Sequence, residues 1–302
     1  MSQNTYAQDL AVVRARADVL ELAGEAGRSV AVVPAWQGRV MTSTTSGQNG
    51  PSFGWLNEAF ISAGAEDPVF NNFGGEDRFW LGPEAGQFGL WFAEGDPFDL
   101  AHWRTPEGFN TGPFEVVERT EDSVGMARQF DVTNFAGTAF HCGVQRTVRA
   151  LGKAEIAEKV GLDLPAGAEA VAFESENVLA NVGEEPWTQD GGLPSIWILG
   201  QFKPLARGRV IVPIRAGNVA DFGPKATTDY FGQIPQDRCS VGERHVLFSC
   251  DGAFRSKIGI SPRRSKGVIG SYDPDAGALT IVKFNQPLTA AELPYVNSLW
   301  EV

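Results

Sequence analysis

The chain has 302 residues, 43% of them hydrophobic, enough to bury a substantial core and to set aside disorder as the default state. It carries 25 basic against 37 acidic residues, a net charge of −12, with no Lys/Arg block dense enough to follow a phosphate backbone, which argues against nucleic acid and anionic membrane as partners. Three cysteines, Cys142, Cys239 and Cys250, form no C-x-x-C pair and are odd in number, so neither a disulfide framework nor a zinc knuckle is indicated and a reducing compartment suits them.

The first twenty residues contain Asp9, Arg14, Arg16 and Asp18 and no apolar signal core, and no run of ~18 apolar residues follows anywhere. The expectation is a cytoplasmic protein with neither export signal nor membrane anchor. Leu10, Val13, Ala17 and Leu20 fit one face of a short N-terminal helix, while the residues 154–160 are too few for a helical assignment.

Beyond that the chain reads as strands and turns. The 35 glycines and 18 prolines are scattered, as many turns between short strands require. Residues 30–34 and 39–45 form two β-branched strands around Trp36-Gln37-Gly38. Residues 140–148 alternate, with Phe140, Cys142 and Val144 on one side and His141, Gly143 and Gln145 on the other.

In residues 173–181 the same period puts Glu174, Glu176, Val178 and Ala180 opposite Ser175, Asn177, Leu179 and Asn181. Residues 209–215 and 244–250 are further strands, the first pushed toward a sheet edge by Pro213. Residues 267–272 and 278–284, joined by Asp273-Pro274-Asp275-Ala276-Gly277, make the clearest hairpin. No repeat, linker or low-complexity tract interrupts the pattern, so it predicts one all-β domain over 1–302, a large sandwich of antiparallel sheets.

Two stretches concentrate chemistry. Residues 71–88 mix paired glycines, charges and aromatics, and place Asp77, Arg78, Trp80 and Glu84 within one loop. Residues 174–197 set Glu174, Asn177, Asn181 and Trp197 among further carboxylates and indoles. Carboxylates, amides and guanidinium groups grip the hydroxyls of a sugar while aromatic faces cover its C–H surface, so both stretches suit a polyol.

His102, between Ala101 and Trp103-Arg104, is a candidate acid near neutral pH, and Arg255 and Lys257 alternate in a turn where they face either a sugar acid or solvent. Structural alternatives stand beside each reading: Asp77 and Arg78 pairing with one another, asparagines capping turns, tryptophans filling the core.

The three histidines lack metal-site spacing, and no phosphate-cradling or dinucleotide-binding glycine motif occurs, so no metal and no cofactor is expected. Gly50-Pro51-Ser52-Phe53-Gly54 spells a nucleophile elbow but lacks the strand-to-helix context that elbow needs.

Taken together, Gln37-Gly38-Arg39-Val40-Met41-Thr42-Ser43-Thr44, Gly74-Gly75-Glu76-Asp77-Arg78-Phe79-Trp80-Leu81-Gly82-Pro83-Glu84, Ser175-Glu176-Asn177, Ile196-Trp197-Ile198-Leu199-Gly200 and Tyr295-Val296-Asn297-Ser298-Leu299-Trp300-Glu301 resemble a family of uncharacterised bacterial proteins in the galactose-mutarotase-like superfamily. The resemblance runs over nearly the whole chain. It implies a β-supersandwich with a sugar-binding cleft on one sheet and, for true mutarotases, a histidine acid and a C-terminal glutamate base.

This sequence departs from that pattern. Ala180-Asn181 stands where mutarotases carry Asn-His, and the chain stops soon after Trp300-Glu301, which implies a chain shortened at its C-terminus or one lacking the usual base. Three functions follow as expectations: an aldose-epimerase-type isomerase with His102 as acid and Glu84 or Glu174 as base; a non-catalytic module holding a small saccharide or oligosaccharide with Asp77, Arg78, Trp80, Asn177, Asn181 and Trp197; or a structural or oligomer-interface protein without a ligand.

Overall fold

Thr5 starts the first element. Its hydroxyl accepts the Gln8 N–H while the Gln8 side chain accepts the Thr5 N–H, a reciprocal cap that satisfies two donors the helix start would leave open. Helix α1 (Tyr6–Arg14) follows, burying Tyr6, Leu10 and Val13. The computed structural model describes residues 4–286 and divides the chain into two compact units, 1–203 and 204–302. Leu20 does not share the helical face: the backbone turns at residues 15–17, where Arg16 and Ala17 both donate to the Val13 carbonyl, and Leu20 opens strand β1 (Leu20–Ala23).

In the first unit β1, β2 (Ser29–Val33) and β3 (Arg39–Thr44) form an antiparallel sheet in that order. The chain reverses between β2 and β3 through a 3₁₀ turn at Pro34–Trp36 and two left-handed residues, Gln37 and Gly38. Gly38 has no room for a side chain, since a Cβ would come within 2.8 Å of Met126.

Helix α2 (Glu58–Ala63), strand β4 (Arg78–Gly82) and helix α3 (Glu107–Asn110) lead into a meander of β5 (Glu115–Arg119), β6 (Ser123–Thr133) and β7 (Ala139–Ala150). Helix α4 (Lys153–Val160), a stretch too short to assign from sequence, precedes β8 (Phe173–Asn181), the edge of that four-stranded sheet. Strand β9 (Ser195–Leu199) then pairs with β4.

The period-2 readings hold. Phe140, Cys142 and Val144 are buried on β7 while His141 and Gln145 are exposed, and Arg146 continues the buried row. On β8, Ser175, Asn177 and Asn181 stand directly opposite Val148, Arg146 and Cys142, so the three share one face of the strand, half-buried at Ser175 and Asn177 and exposed at Asn181.

The second unit holds one antiparallel sheet, ordered β11-β12-β10-β13-β14, with β10 (Arg209–Pro213), helix α5 (Val219–Phe222), β11 (Cys239–Val241), β12 (His245–Ser249), β13 (Val268–Asp273) and β14 (Ala278–Lys283). The expected hairpin is β13–β14. Strand β10 is central instead of marginal: it pairs with β13 only over residues 209–211, so Pro213 lies beyond the ladder that would have needed its N–H.

Fourteen strands in antiparallel sheets against five short α-helices among the described residues make the architecture all-β. No helix of the described residues is long and apolar enough to cross a membrane.

Candidate functional site

The stretch expected to be one loop contains strand β4, buried at every position. A charged residue survives there because its two terminal nitrogens have internal acceptors. Arg78, 1% exposed, donates to the carbonyls of Asn71 and Phe109 at 3.3 and 2.9 Å and lies 4.4 Å above the Trp80 ring. Trp80 packs against Trp91, Phe109 and Phe70 with centroids 5.2 to 5.8 Å apart. Arg78 and Trp80 are therefore interior side chains, bound to the protein's own groups.

Asp77, the residue before β4, ties three sheets together. Its backbone bridges Val40 on β3, and its carboxylate accepts from Arg146 of β7 and, at 2.9 Å, from the Ser175 hydroxyl of β8. Arg146, wholly buried, also donates to the Asn177 side chain at 2.6 Å and to the Gly38 carbonyl at 3.0 Å. Residues 74–84 and 174–197 thus converge, through this polar junction and through the β4–β9 ladder, where Trp80 faces Trp197 in register. Trp197 lies so close over Gly82 that a Cβ there would meet its ring at 2.3 Å.

The electrostatics are set by burial. Arg39 donates to the Gly74 carbonyl at 3.0 Å; burial, and then the charge of Arg146, pull its guanidinium down to about 9. Glu76 is bonded by Ser43 at 2.9 and 3.0 Å, and burial pushes its carboxyl up to about 7 despite that bond, with the neighbouring Asp77 adding to the rise. Three buried guanidinium groups (Arg39, Arg78 and Arg146) thus lie in the same unit as two adjacent buried carboxyls, Glu76 and Asp77.

Asn181 and Glu174 make their bonds elsewhere in the first unit. Asn181 caps a turn, donating to the Glu185 carbonyl at 2.8 Å and accepting from Gly183 at 3.0 Å. Glu174 faces outward, paired with Lys159 at 2.5 Å and Arg149 at 3.4 Å, and the Lys159 bond first of all holds its carboxyl below the usual carboxylate range.

His102 is partly exposed with Nδ1 2.6 Å from Asp99, whose pKa that bond lowers. Glu84 and His102 sit on loops joined through the backbone of Trp91, which donates to the Glu84 carbonyl and accepts from Arg104 at 3.2 and 3.0 Å. In the second unit, Arg255 lies over Phe231 at 4.3 Å and Lys257 over Tyr230 at 4.9 Å, so each cation rests on an aromatic face.

Ser52 of the elbow-like pentapeptide is fully buried and bonds Thr42 at 2.6 Å. The Tyr295 to Glu301 motif lies outside the described residues. Among the described residues, no group of three or more His, Cys, Asp or Glu side chains gathers as metal ligands do. Arg146 and Arg39 were missed from sequence, although the alternation of β7 does signal Arg146: a guanidinium in register with Phe140, Cys142 and Val144 must find a buried partner.

A family described as "Family of unknown function (DUF6786)" matches residues 4–302. No curated protein and no solved structure matches the chain.

Proposed function

We propose that the chain, which belongs to this family of unknown function, is a carbohydrate-binding protein of the galactose-mutarotase-like kind, holding a saccharide on the β7–β8 face beside Asp77. The observation that carries this reading is the junction itself: one carboxylate, one guanidinium, one hydroxyl and one amide from three separated segments, interlocked within 3 Å, with Ser175 and Asn177 only half-buried at an edge strand. A sugar's vicinal hydroxyls both donate and accept, which matches that mixed set.

Binding is preferred over aldose epimerisation. Glu174, one candidate base, is occupied by Lys159 and Arg149. In titration calorimetry against mono- and oligosaccharides including uronic acids, at least one is expected to bind, and Asn177→Ala to weaken it roughly tenfold or more with the Arg146–Asp77 pair still in place. A panel in which no saccharide binds the unmodified protein would end the reading.

A further inference from the structure

Beyond the saccharide reading, and independent of it, the opposite face of β4 carries a second set of groups that lack partners. Nine buried side-chain polar atoms among the described residues have no hydrogen-bond partner, and five belong to Asn72, Arg78, Trp91, Trp103 and Thr105. Two of these stand against Phe70, and the other three are tied to Trp103 or to the backbone of residues 69–70. Arg78 lies over its ring at 5.2 Å, Trp103 meets it edge-on at 5.8 Å, and Trp91 is 6.4 Å from Trp103. Thr105 donates its backbone N–H to Val69, and Asn72 donates its own to Phe70.

Three of the five unpartnered atoms can only donate: Arg78 Nε and the indole nitrogens of Trp91 and Trp103. Arg78 also has no carboxylate within 4 Å among the described residues. Buried donors left open and a buried cation left unpaired each cost stability, and a native protein rarely leaves several together without something to accept from them.

Residues 83–106 run without helix or strand from β4 to α3 and contribute Trp91, Trp103 and Thr105. Unstructured loops of that length inside a folded unit are commonly functional.

We propose that the 83–106 loop covers an oxyanion site, in which a carboxylate or phosphate group is taken onto Arg78, the Trp91 and Trp103 indole N–H groups and the Thr105 hydroxyl after the loop lifts. Asp77 points to the other side of β4, toward Arg146, so this site is separate from the saccharide junction. An acceptor-only, negatively charged group fits three donors and a cation better than a neutral hydroxyl does.

The test is titration calorimetry with inorganic phosphate and, in parallel, acetate, each against sodium chloride of equal ionic strength, together with thermal unfolding. At least one anion is expected to bind with a Kd below roughly 10 mM and to raise the unfolding temperature, and comparing the two separates phosphate from carboxylate chemistry. Trp103→Phe, which keeps the ring and removes the donor, is expected to weaken binding several-fold without lowering the unfolding temperature, and Arg78→Met to abolish it. No binding by either anion, or binding that neither substitution alters, overturns the proposal; if Arg78→Met does not fold, Trp103→Phe decides alone.

Discussion

Arg264 in the second unit and Arg78 in the first are both sealed from solvent, and neither has a carboxylate within 4 Å among the described residues. They differ in how completely their donors are used. Arg264 makes five bonds, to the carbonyls of Arg215, Gly217, Asn218 and twice Gly223, at 2.8 to 3.2 Å. Arg78 makes three contacts, the longest 3.4 Å, and leaves Nε bare. The difference teaches that this chain can saturate a buried guanidinium with backbone alone. Where it does not, as at Arg78 Nε, the open donor is the group that the proposed oxyanion site would use.

The largest effect that would sharpen this contrast is Arg264→Met. It strands four carbonyls that close the residues 215–223 around α5, and the expected loss is about 3–5 kcal/mol, read from the urea midpoint of the second unit. Arg78→Met, which removes an undersaturated cation from an aromatic setting, is expected to change stability by less than about 1 kcal/mol. Equal losses at the two positions would erase the distinction.

The adjacent carboxyls Glu76 and Asp77 repeat the contrast with the opposite charge. Asp77 has Arg146 and Ser175; among the described residues Glu76 has Ser43 alone as a bonded side chain, with Lys203 as the nearby cation and Asp77 as the nearby anion. The folded pKa of Glu76, about 7, lies above its ordinary value of 4.5, so the folded state holds a proton that the unfolded chain has lost anywhere between those values. Stability should therefore be fullest below pH 4.5 and decline as pH rises to 7, by about 3 kcal/mol from this group. Glu76→Gln, neutral at every pH, should remove that decline when urea unfolding of the two proteins is compared from pH 4.5 to 8. Parallel pH profiles would mean the carboxyl is ionised throughout.

Much of the fold was legible because strand alternation and turn chemistry are local. The hairpin of β13 and β14, the β2–β3 pair and the two faces of β7 and β8 all follow from period and from Pro/Gly placement. Strand β4 was not legible: Asp77, Arg78 and Trp80 read as a polar loop, and partners 30 or more residues away, such as Phe109 and Arg146, help make that composition tolerable inside a sheet. The same limit applies to the site. Sequence assembled Asp77 and Asn177 by residue type, but the guanidinium that joins them sits on a third strand, and no spacing rule links Arg146 to either. Long-range pairing also moved Glu174 out of the site, since its partners Lys159 and Arg149 come from α4 and β7.

That outward pair supplies the smallest effect and the check on all the others. Glu174 meets Lys159 and Arg149 on a face where both its own side chain and that of Lys159 stay about half exposed, so water screens the attraction and the ordering of long side chains opposes it. Its pKa is held below the ordinary value, which places its contribution above that value and removes it as pH falls through the folded pKa. Glu174→Ala is expected to cost no more than about 0.5–1 kcal/mol at neutral pH in low salt, and less in high salt, by urea unfolding. A loss as large as that expected for Arg264→Met would mean that exposure does not rank these charges, and the reading of Arg78 as a cation awaiting an acceptor would lose its physical basis.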